Sequence, residues 1–289
     1  MQIHHLNCAT LCPVSAKLVN GVGSQISPAK MICHCLLIET KNKLILVDTG
    51  LGSQDLTHPG NLGLIFRHVI RPKLSFAETA SEQVKKLGFS THDVRHIILT
   101  HLDLDHAGGL PDFPNAEIHV SGSEYSSAMA IRSFRDIFRY RSAHWSHKPN
   151  WKTHTVEGEK WFGFEAVRAI DNEETDILLV PLRGHTDGHC GIAVKSSDKW
   201  VLNCGDAYFF HAEMSLNKSY CTLGLDMFQR IMESDHKARI NNQHRLKELK
   251  QNHGNDIQMF CSHDHSELCK YKEDNHNKRV HIDSPKSGE

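Results

Sequence analysis

The stretch IILTHLDLDHAGGL, Ile97 to Leu110, restricts this chain more than any other. It sets His101, Asp103, Asp105 and His106 within six positions, straight after a β-branched apolar run and straight before a Gly pair. A short apolar run ending in ligand-type residues suits a buried strand whose tip opens at a sheet edge, which predicts a strand over Val94 to Leu99 and a loop after it. In an extended segment residues two apart project to one side, so His101, Asp103 and Asp105 face one cavity, while His106, where the chain turns, closes a second position. Four such ligands imply more than one ion. Imidazole with carboxylate suits zinc, iron or manganese, and bridging oxygens hold two such ions about 3.5–4 Å apart. Gly108 and Gly109 let the backbone pass close by. A solvated acidic loop with stray histidines accounts for any one of these residues in a chain with 23 His, but not for the cluster.

Around this stretch the pattern alternates between strands and helices. Gln2 to Leu6 predicts a short edge strand, where the neighbours His4 and His5 point to opposite faces, and Cys12 to Lys30 an irregular segment. Cys33–Ile38 and Lys43–Val47 predict a hairpin turning at Lys41-Asn42, with the second strand apolar enough to be buried on both sides. Leu51 to Ser75 reads as a loop lining a pocket, and Phe76 to Leu87 as a helix stopped by Gly88. His92 and His96 flank the next strand and are expected to be structural or exposed. Ala116–Val120 predicts a strand, and Ser121 to Ala130 a helix begun by a capping box of Ser121 and Glu124. Further strands are expected over Glu165 to Ile170, Asp176 to Pro181, Gly191–Val194, Trp200–Asn203 and Ile257 to Cys261, with helices over Leu223 to Met232 and Asp235 to Lys250.

One segment stands apart. Ile131 to His154 carries Arg132, Arg135, Arg139, Arg141, Lys148 and Lys152 interleaved with Phe134, Phe138, Tyr140, Trp145 and Trp151. That mixture suits a lid over an anionic or acyl-bearing ligand, a surface that stacks a base and holds a phosphate, or a helix with its aromatics packed inward. His144, His147 and His154 are expected to be lid residues rather than metal ligands.

With its Asp103 standing where a second His is usual, the loop at His101 resembles the signature His-x-His-x-Asp-His of the metallo-β-lactamase superfamily. The resemblance continues in order through CHCLLIETKNKLILVDTG (Cys33–Gly50), GHTDGHCG (Gly184–Gly191), NCGDAYF (Asn203–Phe209) and FCSHDH (Phe260–His265), and is greatest to the N-acyl-homoserine-lactone lactonase branch. It implies an α+β fold, a four-layer αββα sandwich, over 1–269 as a single domain with a lid insertion at 131–154 and a polar tail at 270–289. It also implies that His101, Asp103 and His185 hold one metal ion and Asp105, His106 and His263 the other, with Asp206 bridging; His265 is the second choice for His263, and His189 is expected to support the ligands or to be structural. Asp48 would orient a ligand imidazole or a loop amide. By the same resemblance a hydroxide between the ions attacks a lactone or carboxylic ester carbonyl, and Asp105 or a bound water returns a proton to the leaving oxygen. Tyr208, two residues after Asp206 where the branch has a Tyr at the third, is expected to stabilise the oxyanion. Zinc is the first expectation for both ions. Asp103 adds a charge and a harder donor, which moves preference toward iron or manganese.

Composition leaves this reading open and removes few others. A hydrophobic content of 39% supports a real core, and a net charge of -1 gives no global bias toward nucleic acid or anionic membrane. No apolar run approaches the roughly 20 residues of a membrane span, and no leader pattern is seen, so the cytoplasm is the expectation. The nine cysteines are scattered through apparent strands and read as buried thiols, Cys33 and Cys35 included. A small-molecule substrate is expected, with lactones first. A phosphodiesterase or nuclease is the alternative that the basic segment favours. An iron-dependent redox activity is another, because flavoprotein members of the superfamily carry a carboxylate at the position of Asp103, although the chain lacks room for a flavodoxin-like module. A metal-binding protein without catalysis is the last. Oligomeric state is left open.

Overall fold

The computed structural model describes residues 1–155, 158–170, 176–197 and 199–272. Period-two alternation sorts its strands into two sheets. The first holds β1 (Gln2–Leu11), β2 (Met31–Glu39), β3 (Leu44–Val47), β4 (Pro72–Lys73), β5 (Val94–Ile98), β6 (Glu117–Ser121) and β7 (Asn150–His154), in the order β4-β1-β2-β3-β5-β6-β7. The second holds β8 (Glu159–Trp161), β9 (Phe164–Arg168), β10 (Ile177–Pro181), β11 (Cys190–Ser196), β12 (Lys199–Asn203) and β13 (Ile257–Phe260), in the order β13-β12-β11-β10-β9-β8.

Alternate residues of the central strands feed two different cores. Leu36, Ile38, Ile45, Val47 and Ile98 join Leu179, Ile192, Val194 and Phe260 in a cluster between the sheets. Leu37, Leu46 and Ile97 face the other way, onto Ala80, Val84 and Ala128 of the outer helices. On the far side, Val180, Ala193 and Leu202 pack against Leu246 and Leu249 of the long helix His236–His253. Helix, sheet, sheet, helix is therefore the layer order, the expected αββα sandwich.

Strand direction places the site. β3, β5 and β6 run parallel, and so do β12 and β13, with β10 aligned to them through two antiparallel steps. The loops after β3, β5, β10, β12 and β13 consequently open on the C-terminal edges of their sheets, where crevices form in such sheets.

Several local expectations change. The first strand runs on to Leu11, because Thr10 and Leu11 pair with β4 as well as β2. The segment at 12–30 contains a short helix, Ala16–Asn20. The helix expected from Phe76 is broken at Thr79, whose hydroxyl caps the amide of Glu82 and starts Ala80–Lys86. Ser121 precedes the helix Gly122–Ala130 without a side-chain cap bond, so the capping box does not form. The segment at 131–154 is not all lid: it holds a helix at Phe134–Arg139, yet its last five residues are β7, paired with β6 while Trp151 packs on the outer core. A helix over 265–272 takes in the first three residues of the tail expected at 270–289, and residues 273–289 lie outside the described residues. No described helix is long and apolar enough to cross a membrane.

Candidate metal centre

Seven side chains from four loops, those after β5, β10, β12 and β13, meet at that edge. His185 Nε2 lies 3.0 Å from Asp103 Oδ2 and 3.4 Å from Asp206 Oδ2, and His101 Nε2 lies 3.5 and 3.8 Å from the same two oxygens. A second group shares Asp206: His106 Nε2 is 3.3 Å from its Oδ1, His263 Nε2 is 3.2 Å from its Oδ2, and Asp105 Oδ2 is 3.8 Å from His263 Nε2. All seven expected ligands are thus brought together, with Asp206 common to both groups.

The donors fit metal ions. His101 Nε2, His106 Nε2, Asp103 Oδ1 and Asp206 Oδ1 are buried and make no hydrogen bond. Polar atoms in that condition cost free energy unless something charged or polar meets them. Two triads, His101–His185–Asp206 and His106–Asp206–His263, each bring their donor atoms within 4.8 Å of one another. Imidazoles with carboxylates are the donor set of zinc and its first-row neighbours.

Charge is arranged to keep the carboxylates ionised. Burial opposes ionisation of Asp206, yet His263 and His106 hold its carboxyl well below the usual range. Burial likewise opposes it at Asp103, where the Arg139 guanidinium and the His101 ring prevail. Asp105 differs: burial pushes its carboxyl up against the pull of His106 and His263.

A supporting layer fixes the ligands. Asp48 accepts from the amide and hydroxyl of Thr100, both at 2.8 Å, and from His106 Nδ1 at 3.0 Å, so it orients both a ligand imidazole and a loop amide. His263 Nδ1 donates to the carbonyl of Ile32 at 2.7 Å. His189 donates through Nδ1 to the carbonyl of Leu182 and accepts the amide of Asp206 at its Nε2, at 3.0 and 2.9 Å. Burial with the neighbouring His185 brings the His189 pKa down to about 3, which keeps that ring neutral and able to accept. Its role is to place Asp206.

Two residues escaped the sequence reading. Glu124, fully buried, accepts from the amides of Leu102 and Gly188 and from the hydroxyls of Thr186 and Tyr140. It ties the loop of His101 to the loop of His185; a Cβ at Gly188 would stand 2.1 Å from the Glu124 amide nitrogen, so only glycine permits the approach. Arg139 is the other. Its Nη1 donates to Asp103 Oδ2 at 2.6 Å and lies 3.1 Å from His185 Nε2. Only the added charge of Asp103 signalled a need for a buried cation, and nothing in the spacing pointed to Arg139.

Other candidates lie elsewhere. Tyr208 does not face the centre: it is buried in the core under the second sheet, and its hydroxyl donates to Glu267. Core packing and the bond to Glu267 hold the ring away from the donors, which corrects the expected oxyanion role. His265 reaches Lys30 at 2.8 Å, His144 donates to Asp55 at 2.8 Å, and His5 pairs with His34 at 2.8 Å. Cys35 is core, whereas the Cys33 thiol reaches the edge of the centre, 3.9 Å from Asp105 Oδ2.

Above the donors opens a cavity of ≈ 270 Å³. Its floor is Asp103, Asp105, His185, Asp206 and His263, and its walls are apolar: Leu11, Met31, Ile65, Phe66, Val69, Ile70, Phe138, Phe209, Phe228 and Met232. Arg139 and Arg141 are the cations in its lining. The loop expected at 51–75 and the helix of the expected lid both contribute.

A family model described as the metallo-beta-lactamase superfamily matches residues 29–247. A probable metallo-hydrolase of Mycobacterium bovis is 40% identical over 91% of this chain and 80% of its own length. An N-acyl homoserine lactonase of Bacillus thuringiensis is 33% identical over 61% of this chain and 65% of its own. Among solved structures, an N-acyl homoserine lactone hydrolase with the product N-hexanoyl-L-homoserine at its catalytic metal centre superposes with a TM-score of 0.68, at 21% identity, over 93% of this chain and 95% of that one.

Proposed function

The chain belongs to the metallo-beta-lactamase superfamily and is a metal-dependent hydrolase, and on that premise we propose that it opens the lactone ring, or cleaves the carboxylic ester, of an acyl-bearing small molecule. Its cofactors are two divalent ions, zinc first, with iron or manganese the competitors that Asp103 would favour. The observation that carries the substrate class is the pocket: apolar walls over a polar floor suit a molecule with one hydrolysable carbonyl and a hydrocarbon tail. The similarity to N-acyl homoserine lactonases supports the same class.

Placement supports a set of residue roles. His101, Asp103 and His185 would hold one ion, Asp105, His106 and His263 the other, and Asp206 both. When bound, such ions supply water deprotonated near neutral pH and Lewis-acid polarisation of a carbonyl. Arg139 takes the part expected of Tyr208, because its guanidinium borders both the donors and the cavity and can donate to the carbonyl oxygen as charge develops there. Asp105, whose carboxyl burial pushes up, carries the proton to the leaving oxygen. The apolar walls seat the acyl tail and exclude water from the floor.

The basic segment gives little support to a phosphodiester substrate. Arg135, Arg139 and Arg141 donate to the carbonyls of Glu233, Met232 and Ile137, and Arg139 also to Asp103, so these guanidiniums are already engaged within the protein.

The test couples metal analysis to a panel of lactones, carboxylic esters and phosphodiesters, on the native chain and on Asp206→Ala. The expected result is lactone or ester turnover that disappears in the variant along with about two ions per chain. Phosphodiester turnover without lactone or ester turnover would overturn the substrate class, and loss of a single ion would overturn the dinuclear assignment.

A further inference from the structure

A second group of donor atoms lies on β5 and β6, sharing no residue with the centre described above. His96 pairs with Glu117 across the two strands, and His119 follows Glu117 by two positions on the same face. That face is the inner one: His96 alternates with Ile97 and shares its side with Ile98 of the inter-sheet core, whereas Ile118 and Val120 point outward to the helices. Three side chains that a sandwich would ordinarily make apolar are therefore polar, and they converge.

The distances have a definite pattern. His96 Nδ1 and His119 Nε2 are 3.0 Å apart, His119 Nε2 and Glu117 Oε2 are 3.3 Å apart, and His96 Nδ1 and Glu117 Oε2 are 3.8 Å apart. Tetrahedral zinc with nitrogen and oxygen ligands at about 2.0–2.2 Å requires ligand atoms roughly 3.3–3.6 Å from one another. The observed triangle straddles that range. All three donor atoms lie within 4.8 Å of one another.

One choice of tautomer turns this triangle into a set of lone pairs. His119 Nδ1 and His154 Nε2 share a hydrogen bond at 3.0 Å, and with the proton on Nδ1 the Nε2 lone pair of His119 is directed at His96 and Glu117. A single proton on His96 can meet that lone pair, but the Glu117 oxygen then faces two nitrogens with no proton to receive. Burial, with the nearby Lys43, lowers the pKa of His96. Burial and the adjacent imidazoles bring His119 to about 3, so these rings stay neutral near pH 7, the form in which an imidazole binds a metal.

We propose that His96, Glu117 and His119 form a further metal site, binding one zinc ion, with His154 as the positioning residue for His119. His119 is buried, while the Glu117 side chain is one-third exposed at 33% and gives the ion a way in and a water its fourth position. Glu117 Oε1 accepts from Asn150 at 3.4 Å, leaving Oε2 for the ion. His154, at the end of β7, holds the outer nitrogen of His119, the arrangement that fixes ring and tautomer in zinc sites. The proposal stands apart from the reading of the hydrolytic centre.

The experiment is equilibrium dialysis of the full chain against zinc, followed by elemental analysis. Asp206→Ala is the parent, since it lacks the bridging carboxylate of the other centre, and His96→Ala, Glu117→Gln and His119→Ala are added to it singly. The parent is expected to keep a zinc ion that each added substitution removes, and His154→Ala to weaken its affinity by about 10–100-fold without abolishing it at saturation. In the otherwise native chain His96→Ala should lower zinc content by the same single equivalent while lactone or ester turnover is unchanged. Should His119→Ala fail to fold, the less buried His96 and Glu117 variants decide. Zinc content equal in His96→Ala, Glu117→Gln and their parent would overturn the site, whatever the hydrolytic centre holds.

Discussion

Asp103 and Arg139 act as a pair. The carboxylate brings one more negative charge to the floor of the pocket than a histidine would, and the buried guanidinium 2.6 Å away offsets it. A cation in that place can also meet charge on a substrate oxygen, as Tyr208 cannot from its position against Glu267. Arg139→Met is therefore expected to lower kcat/KM by about 10²-fold, the usual cost of losing one donor to a developing oxyanion. Tyr208→Phe should leave kcat/KM within a few fold and lower stability by about 1 kcal/mol, the net worth of one buried hydrogen bond. Steady-state kinetics and denaturant melts of the two variants, side by side, check the exchange of roles. Glu267 itself sets a pH dependence. Burial pushes its carboxyl from 4.5 up to about 7. Within that window the folded chain keeps a proton that the unfolded chain has lost, so this residue's contribution falls as pH rises through the window and is flat above it. Glu267→Gln lacks the slope, and its Tm relative to the native chain should climb between about pH 5 and 8.

At the scale of elements, what was legible in the sequence was what lies along one strand and its tip. β2 and β3 were readable because alternate residues are apolar for both cores, and His101 to His106 because four donors crowd one loop. Asp48 was readable as a support because it too stands at a strand tip. Glu124 was misread for the converse reason. Beside Ser121 it spells a cap, but its carboxylate is drawn to Leu102, Thr186 and Gly188, partners 22 to 64 positions away that no local pattern displays. Helix breaking at Thr79 and the strand at Asn150–His154 were hidden likewise, since a capping hydroxyl and a vacant sheet edge compete with periodicity only once the chain has folded. The clamp at Glu124 carries its own expectation. Glu124→Ala leaves two buried amides without an acceptor and should cost about 2–4 kcal/mol in denaturant melts. It should also weaken metal binding at the hydrolytic centre by about 10–100-fold in a chelator competition.

Across the whole molecule, the loops after five strands of both sheets are drawn to one crevice, and ions held there would join the two halves of the sandwich. Because the folded chain presents this donor set assembled and the unfolded chain does not, metal binding is linked to folding. Removal of metal with a chelator should lower Tm by at least several degrees, reversed on adding zinc, as a thermal melt in each condition would show. The pocket above the crevice has a further consequence. With the proposed substrate its walls would touch a tail that is chemically the same before and after the ring opens, so the grip on that tail would be equal for substrate and product. Each methylene it swallows adds about 0.8 kcal/mol to both, roughly a fourfold gain in affinity per carbon. Lengthening the chain of such a substrate would thus act on residence rather than on chemistry: short-tailed molecules are expected to turn over at the pace of bond breaking, and long-tailed ones at the pace at which the opened acid can leave.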